Sequence, residues 1–190
     1  MDYTQSVIKI LQKIHLEEQE GKKTPQEPLE KIIITKVKTQ YVDNAKNMGI
    51  DIKGYYHEIS NYFIHHVLKN HGNERKETSR GNLPVKDEDF MQIPVIIHHP
   101  DYVIFGARRN NKERIIYVKY IDVGTVFYFE EILTGKNNKT LRGNTMYKTK
   151  KILNEAGIIA NINMNKRTDI SKIKITGMDG SKSINTANQD

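Results

Sequence analysis

Residues 102–133 read YVIFGARRNNKERIIYVKYIDVGTVFYFEEIL, and this stretch predicts the fold of the chain. It contains three runs rich in β-branched and aromatic residues, which favour strands: Tyr102–Ala107, Arg114–Ile121 and Thr125–Leu133. Turn-forming residues separate the runs at Asn110–Asn111 and Asp122–Gly124. Strands joined by short turns pair with their neighbours, so the stretch predicts an antiparallel meander. A fourth strand is expected over Thr140–Lys148, after a turn at 135–139.

The chain before the meander has the apolar period of helices. Val7, Ile10, Leu11 and Ile14 recur at i, i+3, i+4 and i+7, which predicts an amphipathic helix over residues 4–20. Ser60 is suited to cap a second helix over residues 61–71, which Gly72 ends. Further helices are expected over residues 37–47 and, with a disturbance at Pro94, over 88–99. Ile32–Ile34 favours a short strand.

Polar segments divide the chain. Residues 17–28 read as a linker, and residues 73–82 as a loop. The tail from residue 161 to 190 is either mobile or adds an edge strand through Ile170, Ile173 and Ile175. We therefore expect an N-terminal helix and linker (1–29), a core domain (30–150) and a polar C-terminal extension (151–190). The predicted fold class is α+β, with N-terminal helices packed on a twisted antiparallel sheet of four strands or slightly more.

The composition favours a protein that binds polyanions. Thirty Lys and Arg residues against twenty-three Asp and Glu give a net charge of +7 in a chain of 190 residues. Such a surface attracts nucleic acid or an acidic protein, although it can also serve solubility alone. The chain has no Cys, which excludes disulfides and thiolate chemistry. No apolar run is long enough to span a membrane, and no leader is apparent at the N-terminus, so we expect a cytoplasmic protein.

Imidazoles and cations are concentrated at the end of the 61–71 helix. His66 shares a helix face with Tyr62 and Phe63, and His71 lies at the C-terminus, where carbonyl groups favour an imidazolium ion. His65 points away from His66 and is expected to face solvent. Imidazole exchanges protons near neutral pH, and Arg80, which follows in the polar loop, is suited to bind phosphate. Taken singly, such a histidine is more often structural and Arg80 would be an ordinary surface charge, so the functional hypothesis rests on their combination.

Three more candidates lie on the predicted strands. Lys119 alternates with Tyr117 and Ile121, an unusual place for a charge unless it meets an anion. Thr145 and Tyr147 are two residues apart and share one face of a strand, where their hydroxyls could bind a phosphate. Strand propensity alone also explains such a pair.

Several chemistries lack support in the sequence. His57, His65, His66 and His71 do not have the i, i+4 spacing of a helical zinc pair. The acidic run Asp87–Asp89 could hold Mg²⁺, but acidic residues at the start of a helix more often interact favourably with the helix dipole. No P-loop, GxGxxG or GxSxG motif occurs. We therefore expect no cofactor and no metal.

The order of these residues resembles the phage- and mobile-element-associated nucleases of the barnase–EndoU–colicin–RelE (BECR) fold. The resemblance covers about residues 30–150. It rests on the segments 49–72, 77–82 and 89–101, the hairpins, and Thr145–Tyr147. It implies N-terminal helices on a four-stranded sheet and metal-independent cleavage of RNA. His66, His71, Arg80, Thr145 and Tyr147 match the family pattern. The family pattern has a glutamine where this chain has Asn82. Lys119 is not part of the family pattern and is a candidate only because of its position on a predicted strand.

A site of this composition predicts attack of the ribose 2′-hydroxyl on the adjacent phosphorus. One of His66 and His71 acts as base and the other as acid, giving a 2′,3′-cyclic phosphate. Arg80 and Lys119 stabilise charge, and Thr145 and Tyr147 orient the phosphate. The expected partners are RNA, with tRNA as one candidate, and an acidic immunity or antitoxin protein, as for a toxin or mobile-element effector. Two alternatives are a non-catalytic nucleic-acid-binding module and a phage accessory protein-interaction domain using the N-terminal helix.

Overall fold

The computed structural model describes residues 2–22, 29–135, 138–164, 168–177 and 183–185. Parts of the predicted linker (23–28), of the turn at 135–139 and of the predicted tail lie outside these residues. The helices are α1 (Tyr3–Gln19), α2 (Thr39–Lys46), α3 (Asn61–His71), α4 (Glu74–Ser79), α5 (Asp87–Met91), α6 (Ile93–His98) and α7 (Glu155–Met164). The strands are β1 (Lys31–Lys36), β2 (Tyr56–Ser60), β3 (Asn82–Leu83), β4 (Tyr102–Arg109), β5 (Lys112–Ile121), β6 (Gly124–Leu133), β7 (Thr140–Thr149), β8 (Lys174–Gly177) and β9 (Ser183–Asn185).

One sheet contains all the strands of the described residues. Its order is β1-β2-β7-β6-β5-β4-β8-β9, and β3 pairs with β7. Strands β4 to β7 form the predicted antiparallel meander, which confirms that part of the fold. The sheet is larger than the expected four strands or slightly more, because β1 and β2 extend it beyond β7, and β8 and β9 extend it beyond β4. The single parallel contact among the described strands joins β2 to β7.

The edge of β7 is divided between two strands. β2 pairs with its beginning, from Thr140 to Arg142, and β3 pairs with its end, at Lys148 and Thr149. Helix α3 follows β2 directly and contacts β7. The middle of β7 therefore faces a helix rather than a strand, and side chains at the end of α3 come close to the sheet.

The N-terminal helices cover one face of the sheet. Val7, Ile10, Leu11 and Ile14 of α1 are buried in the same core as Phe63 of α3 and Tyr117 of β5. This burial confirms the predicted amphipathic helix. The helix does not stand apart from the core, because its apolar stripe packs against it. None of the described helices is long and apolar enough to cross a membrane.

Helix α7 covers part of the opposite face. Its Ile158 and Ile162 pack in a second core with Phe127, Phe129 and Tyr147. The expectation that all helices precede the sheet was therefore wrong. The segment 151–190 was expected to be a polar extension, yet α7 places Ile158 and Ile162 at i, i+4, and these two side chains bury one face of the helix. A strand in this region is confirmed as β8, which contains Ile175 and pairs with β4, but β8 does not form the edge of the sheet because β9 pairs with its other side.

Strand β2 escaped prediction because its sequence, YHEIS, is polar. His57 and Glu58 are both buried. His57 Nδ1 lies 2.8 Å from a carboxylate oxygen of Glu130, and Tyr128 donates a 3.0 Å hydrogen bond to the other. Pairing of this kind compensates the cost of burying polar groups. The strand is therefore stable where its composition suggests a loop.

Two other segments differ from expectation. The predicted helix over residues 88–99 is divided into α5 and α6, and Pro94 lies in the first turn of α6, where its missing N–H is not needed. The predicted loop at 73–82 contains α4, which Asn73 caps by accepting from the backbone N–H of Lys76.

We expect the variant Ile162→Ala to lose about 2–5 kcal/mol of unfolding free energy, because a fully buried side chain leaves a cavity beside Phe127 and Tyr147. Urea denaturation monitored by circular dichroism measures this loss. Ile152→Ala, at a residue 64% exposed, is the control and should change stability by less than about 0.5 kcal/mol. Equal stability of the two variants would contradict the packing of α7.

Candidate active site

Helix α3 places two histidines on the side of the molecule where β7 lacks a strand neighbour. The helix begins where Ser60 accepts a hydrogen bond from the backbone N–H of Phe63, as predicted. His66 is exposed, with Nδ1 3.2 Å from the amide nitrogen of Asn70. His65, expected to face solvent, is instead 8% exposed. The apolar face of α3 is broader than its isoleucine and valine residues alone indicate.

The carboxylate of Glu77 joins His71 to Arg80. Glu77 is fully buried. One of its oxygens accepts from Nη1 of Arg80 at 2.7 Å. The other accepts from the amide of Asn82 at 3.0 Å and lies 3.4 Å from Nδ1 of His71. We call His71, Glu77, Arg80 and Asn82 the Glu77 cluster. It connects α3, α4 and β3 through one anion, and it brings two predicted site residues together.

Tyr147 lies against the Glu77 cluster. Its ring centroid is 5.7 Å from that of His71, and it stacks on Phe127 at 5.0 Å. Its hydroxyl donates to Oδ1 of Asn161 in α7 at 2.9 Å. Thr145 lies on the same face of β7, as predicted, and pairs in register with Phe129. Thr145 and Tyr147 are only 6% and 7% exposed, so their burial limits access to both hydroxyls.

A basic groove lies beside the exposed histidine. It has a volume of about 860 Å³. Cationic or titratable side chains contributed by α3, β4, β5 and β7 line it: His65, His66, Lys69, Arg109, Lys112, Arg114 and Arg142. Glu131 is the acidic residue among the lining residues that the structure describes. A groove of this charge suits a phosphate chain.

The pKa of His66 is affected by charges in both the Glu77 cluster and the groove. Desolvation lowers its pKa from the ordinary value, and the neighbouring charges of His71 and Arg109 lower it further. Burial also lowers the pKa of His71, against the opposite effect of Glu77. Both imidazoles are thus largely neutral at neutral pH, which leaves them able to accept a proton.

Lys119 is not part of this arrangement. It lies on the other face of β5, with Tyr117, and its Nζ is 3.1 Å from Asp101. The position of Lys119 on the strand predicted a contact with an anion, and that anion is the carboxylate of Asp101. The acids at the start of α5 are also engaged, since Asp87 contacts His15 and Asp89 contacts Lys148. Within the described part of the chain, no group of three His, Asp or Glu side chains is arranged to hold a metal ion.

Sequence reasoning missed Glu77 and the arginines of the groove. Glu77 lies one helical turn before Arg80, a spacing that suggests an ion pair but not its burial. Arg109 and Lys112 flank the Asn110–Asn111 turn, so a hairpin prediction already places them side by side. Arg114 and Arg142 join them only through the strand order, which the sequence does not give.

The sheet carries a helix at its edge that presents histidines beside a basic groove, an arrangement suited to bind phosphate groups. The family model of the phage-Barnase-EndoU-ColicinE5/D-RelE like nucleases, type 3, matches residues 34–156. The chain belongs to this nuclease family, which confirms the resemblance seen in the sequence. Comparisons with curated proteins and with solved structures gave no match.

Removing the charge of Glu77 should lower the pKa of His71 further, because this carboxylate favours the imidazolium form. We expect Glu77→Gln to show this shift when the imidazole resonances are titrated by NMR. Glu74→Gln, an exposed position of the same helix, is the matched control and should leave His71 unchanged. A pKa of His71 that is equal or higher in Glu77→Gln would show that the cluster does not act on this histidine.

Proposed function

We propose that the protein is a metal-independent endoribonuclease that cleaves RNA through attack of the 2′-hydroxyl, giving a 2′,3′-cyclic phosphate and a 5′-hydroxyl. The observation that carries the proposal is the position of His66, which lines the basic groove and lies on the same helix, α3, as His71. Two imidazoles near one phosphate provide both a base and an acid, which is what this reaction requires.

The proposed reaction begins with an imidazole that is neutral. This imidazole removes the proton of the 2′-hydroxyl, and the oxygen attacks phosphorus. The second imidazole, in its protonated form, gives a proton to the departing 5′-oxygen. Negative charge develops on the phosphorane oxygens, and the guanidinium of Arg80 stabilises it. His66 and His71 fill these two roles in either order.

The remaining site residues have supporting roles in this proposal. Arg80 reaches His71 through the carboxylate of Glu77 and adds positive charge there. Tyr147 acts as a positioning residue, because its ring packs on His71 while its hydroxyl is bound to Asn161. Thr145 is kept as a candidate ligand of the phosphate. An acidic immunity or antitoxin protein would be a natural inhibitor of such a groove, as for a toxin.

A second function is a nucleic-acid-binding module without catalysis. The substitution of the family glutamine by Asn82 favours it, since the amide of Asn82 donates to Glu77. In this alternative the groove binds phosphates while the histidines only shape its wall. Cleavage assays separate the two functions.

We expect His66→Ala and His71→Ala each to reduce cleavage of tRNA and total RNA by about 10²–10⁴-fold, because each removes a proton-transfer group. The assay contains EDTA, and gel electrophoresis followed by end-group analysis detects the cyclic phosphate. His99→Ala is the control, because this exposed histidine follows α6, away from the lining of the groove.

Cleavage that EDTA abolishes would contradict the metal-independent reaction. Cleavage at wild-type rates by both His variants, purified in the same way, would exclude the proposed roles. Salt-sensitive RNA binding with no cleavage at high protein concentration would instead favour the binding module.

The pH dependence of kcat/KM follows from the two histidines. Burial and neighbouring cations lower both pKa values below the ordinary value of 6.5. A base that must be neutral and an acid that must be protonated give a bell-shaped profile centred between their pKa values. We therefore expect a maximum on the acid side of pH 6.5 in the wild-type protein. A maximum above pH 7.5 would contradict the pairing of these two groups.

A further inference from the structure

A row of charged side chains crosses the sheet on the face of the groove. In register, Arg114 of β5 is opposite Glu131 of β6, and Glu131 is opposite Arg142 of β7. Arg142 is in turn opposite Glu58 of β2, and its Nε donates to Glu58 at 2.9 Å. Arg142 therefore has a well-made partner within the row.

Arg114 does not have such a partner. It is 4% exposed, and the nearest carboxylate oxygen, of Glu131, is 3.9 Å from Nη2, beyond hydrogen-bonding distance. The other oxygen of Glu131 already binds Lys112 at 2.6 Å. The Nε of Arg114 is buried and meets no acceptor among the residues that the structure describes. A buried guanidinium N–H without an acceptor is costly, and a bound anion would satisfy it.

Further positive charge surrounds this guanidinium. Arg109 and Lys112 pair directly across the β4–β5 hairpin, whose turn residues Asn110 and Asn111 have φ of 51° and 61°. Burial and the charge of Arg109 lower the pKa of Arg114 to about 10, so Arg114 is still charged at neutral pH. Arg109 makes no ion pair with a carboxylate in the described part of the chain.

We propose that Arg114, with Arg109 and Lys112, forms a second phosphate-binding subsite that holds a phosphate of the RNA next to the one cleaved. This inference rests on the proposed function for the identity of the ligand. A guanidinium fork offers two parallel N–H donors to phosphate oxygens, and Arg109 and Lys112 supply the remaining charge.

The groove favours a chain of phosphates over a single anion. Arg114 and His66 line the same groove, so a strand bound at Arg114 extends to the histidine. Tyr62, 38% exposed, lines it as well and offers a ring for base stacking. Phosphate binding at Arg114 would thus fix the register of the strand, and the adjacent linkage would lie at His66.

The test uses a 2′-O-methyl RNA oligonucleotide, which binds but lacks the attacking hydroxyl, with affinity measured by fluorescence anisotropy over a range of KCl concentrations. We expect Arg114→Lys and Arg109→Gln to weaken binding about tenfold. Arg109→Gln should also reduce the slope of log K against log salt by about 0.7, the value for one lost contact to single-stranded RNA. Lys46→Gln, at the exposed end of α2, removes one charge elsewhere and should change neither quantity.

Cleavage kinetics provide a second readout. With unmodified RNA, both arginine variants should raise KM while leaving kcat within about threefold of wild type, because the subsite binds the strand equally before and during the reaction. Arg114→Lys keeps a charge beside Glu131, and circular dichroism establishes that it folds. Arg109 is only partly buried, so we expect Arg109→Gln to fold. If Arg114→Lys is unstable, Arg109→Gln alone still tests the subsite.

Unchanged affinity and an unchanged salt slope in folded Arg109→Gln and Arg114→Lys would overturn the subsite, even if the histidine variants abolish cleavage. The opposite combination of results would distinguish the phosphate subsite from the proposed reaction. If the histidine variants cleave normally or the wild-type protein does not cleave, and the arginine variants still bind weakly, the phosphate subsite stands and the proposed reaction fails.

Discussion

The structure depends at its functional end on one buried anion, the carboxylate of Glu77. It binds side chains from the end of α3, the end of α4 and the start of β3, three elements that otherwise meet only at the margin of the sheet. A buried carboxylate is stable only when several donors satisfy it, so these donors must stay in place for the fold to persist. The same requirement fixes the position of the His71 imidazole.

The two faces of the sheet have separate functions. The face under α1, α2 and α3 carries the larger core, in which the Glu130 carboxylate contacts His57 Nδ1 and accepts a hydrogen bond from Tyr128. The opposite face is shared by α7 and the groove, and its arginines are not fully neutralised. Arg114 therefore keeps positive charge in the groove that the carboxylate of Glu131, 3.9 Å away, does not fully neutralise. This division explains why Lys119 and Arg114, on the same strand, belong to different environments.

Local patterns in the sequence predicted much of the fold and part of the site. The hydrophobic period defined α1 and α3, and the turn residues defined the β4–β7 meander, because these features depend on neighbours in the chain. Strand β2 was not predictable, because His57 and Glu58 are buried through partners more than seventy residues away. His66, His71 and Arg80 were singled out from their chemistry, and the structure brings His71 and Arg80 to one carboxylate. Glu77 and Arg114 stand out because their charged side chains are buried, and the sequence does not show which charged residues are buried.

Tyr147 depends on a residue outside the segment that matches the family. The matched segment ends at residue 156, whereas Asn161, which binds the tyrosine hydroxyl, lies in α7. A ribosome therefore makes His66, His71 and Tyr147 before it makes the helix that holds the aromatic ring in place. Because nascent chains fold progressively from the N-terminus, the surroundings of Tyr147 would be completed only after α7 has emerged. A chain that stopped at the end of the matched segment would lack the hydrogen bond that holds the Tyr147 hydroxyl.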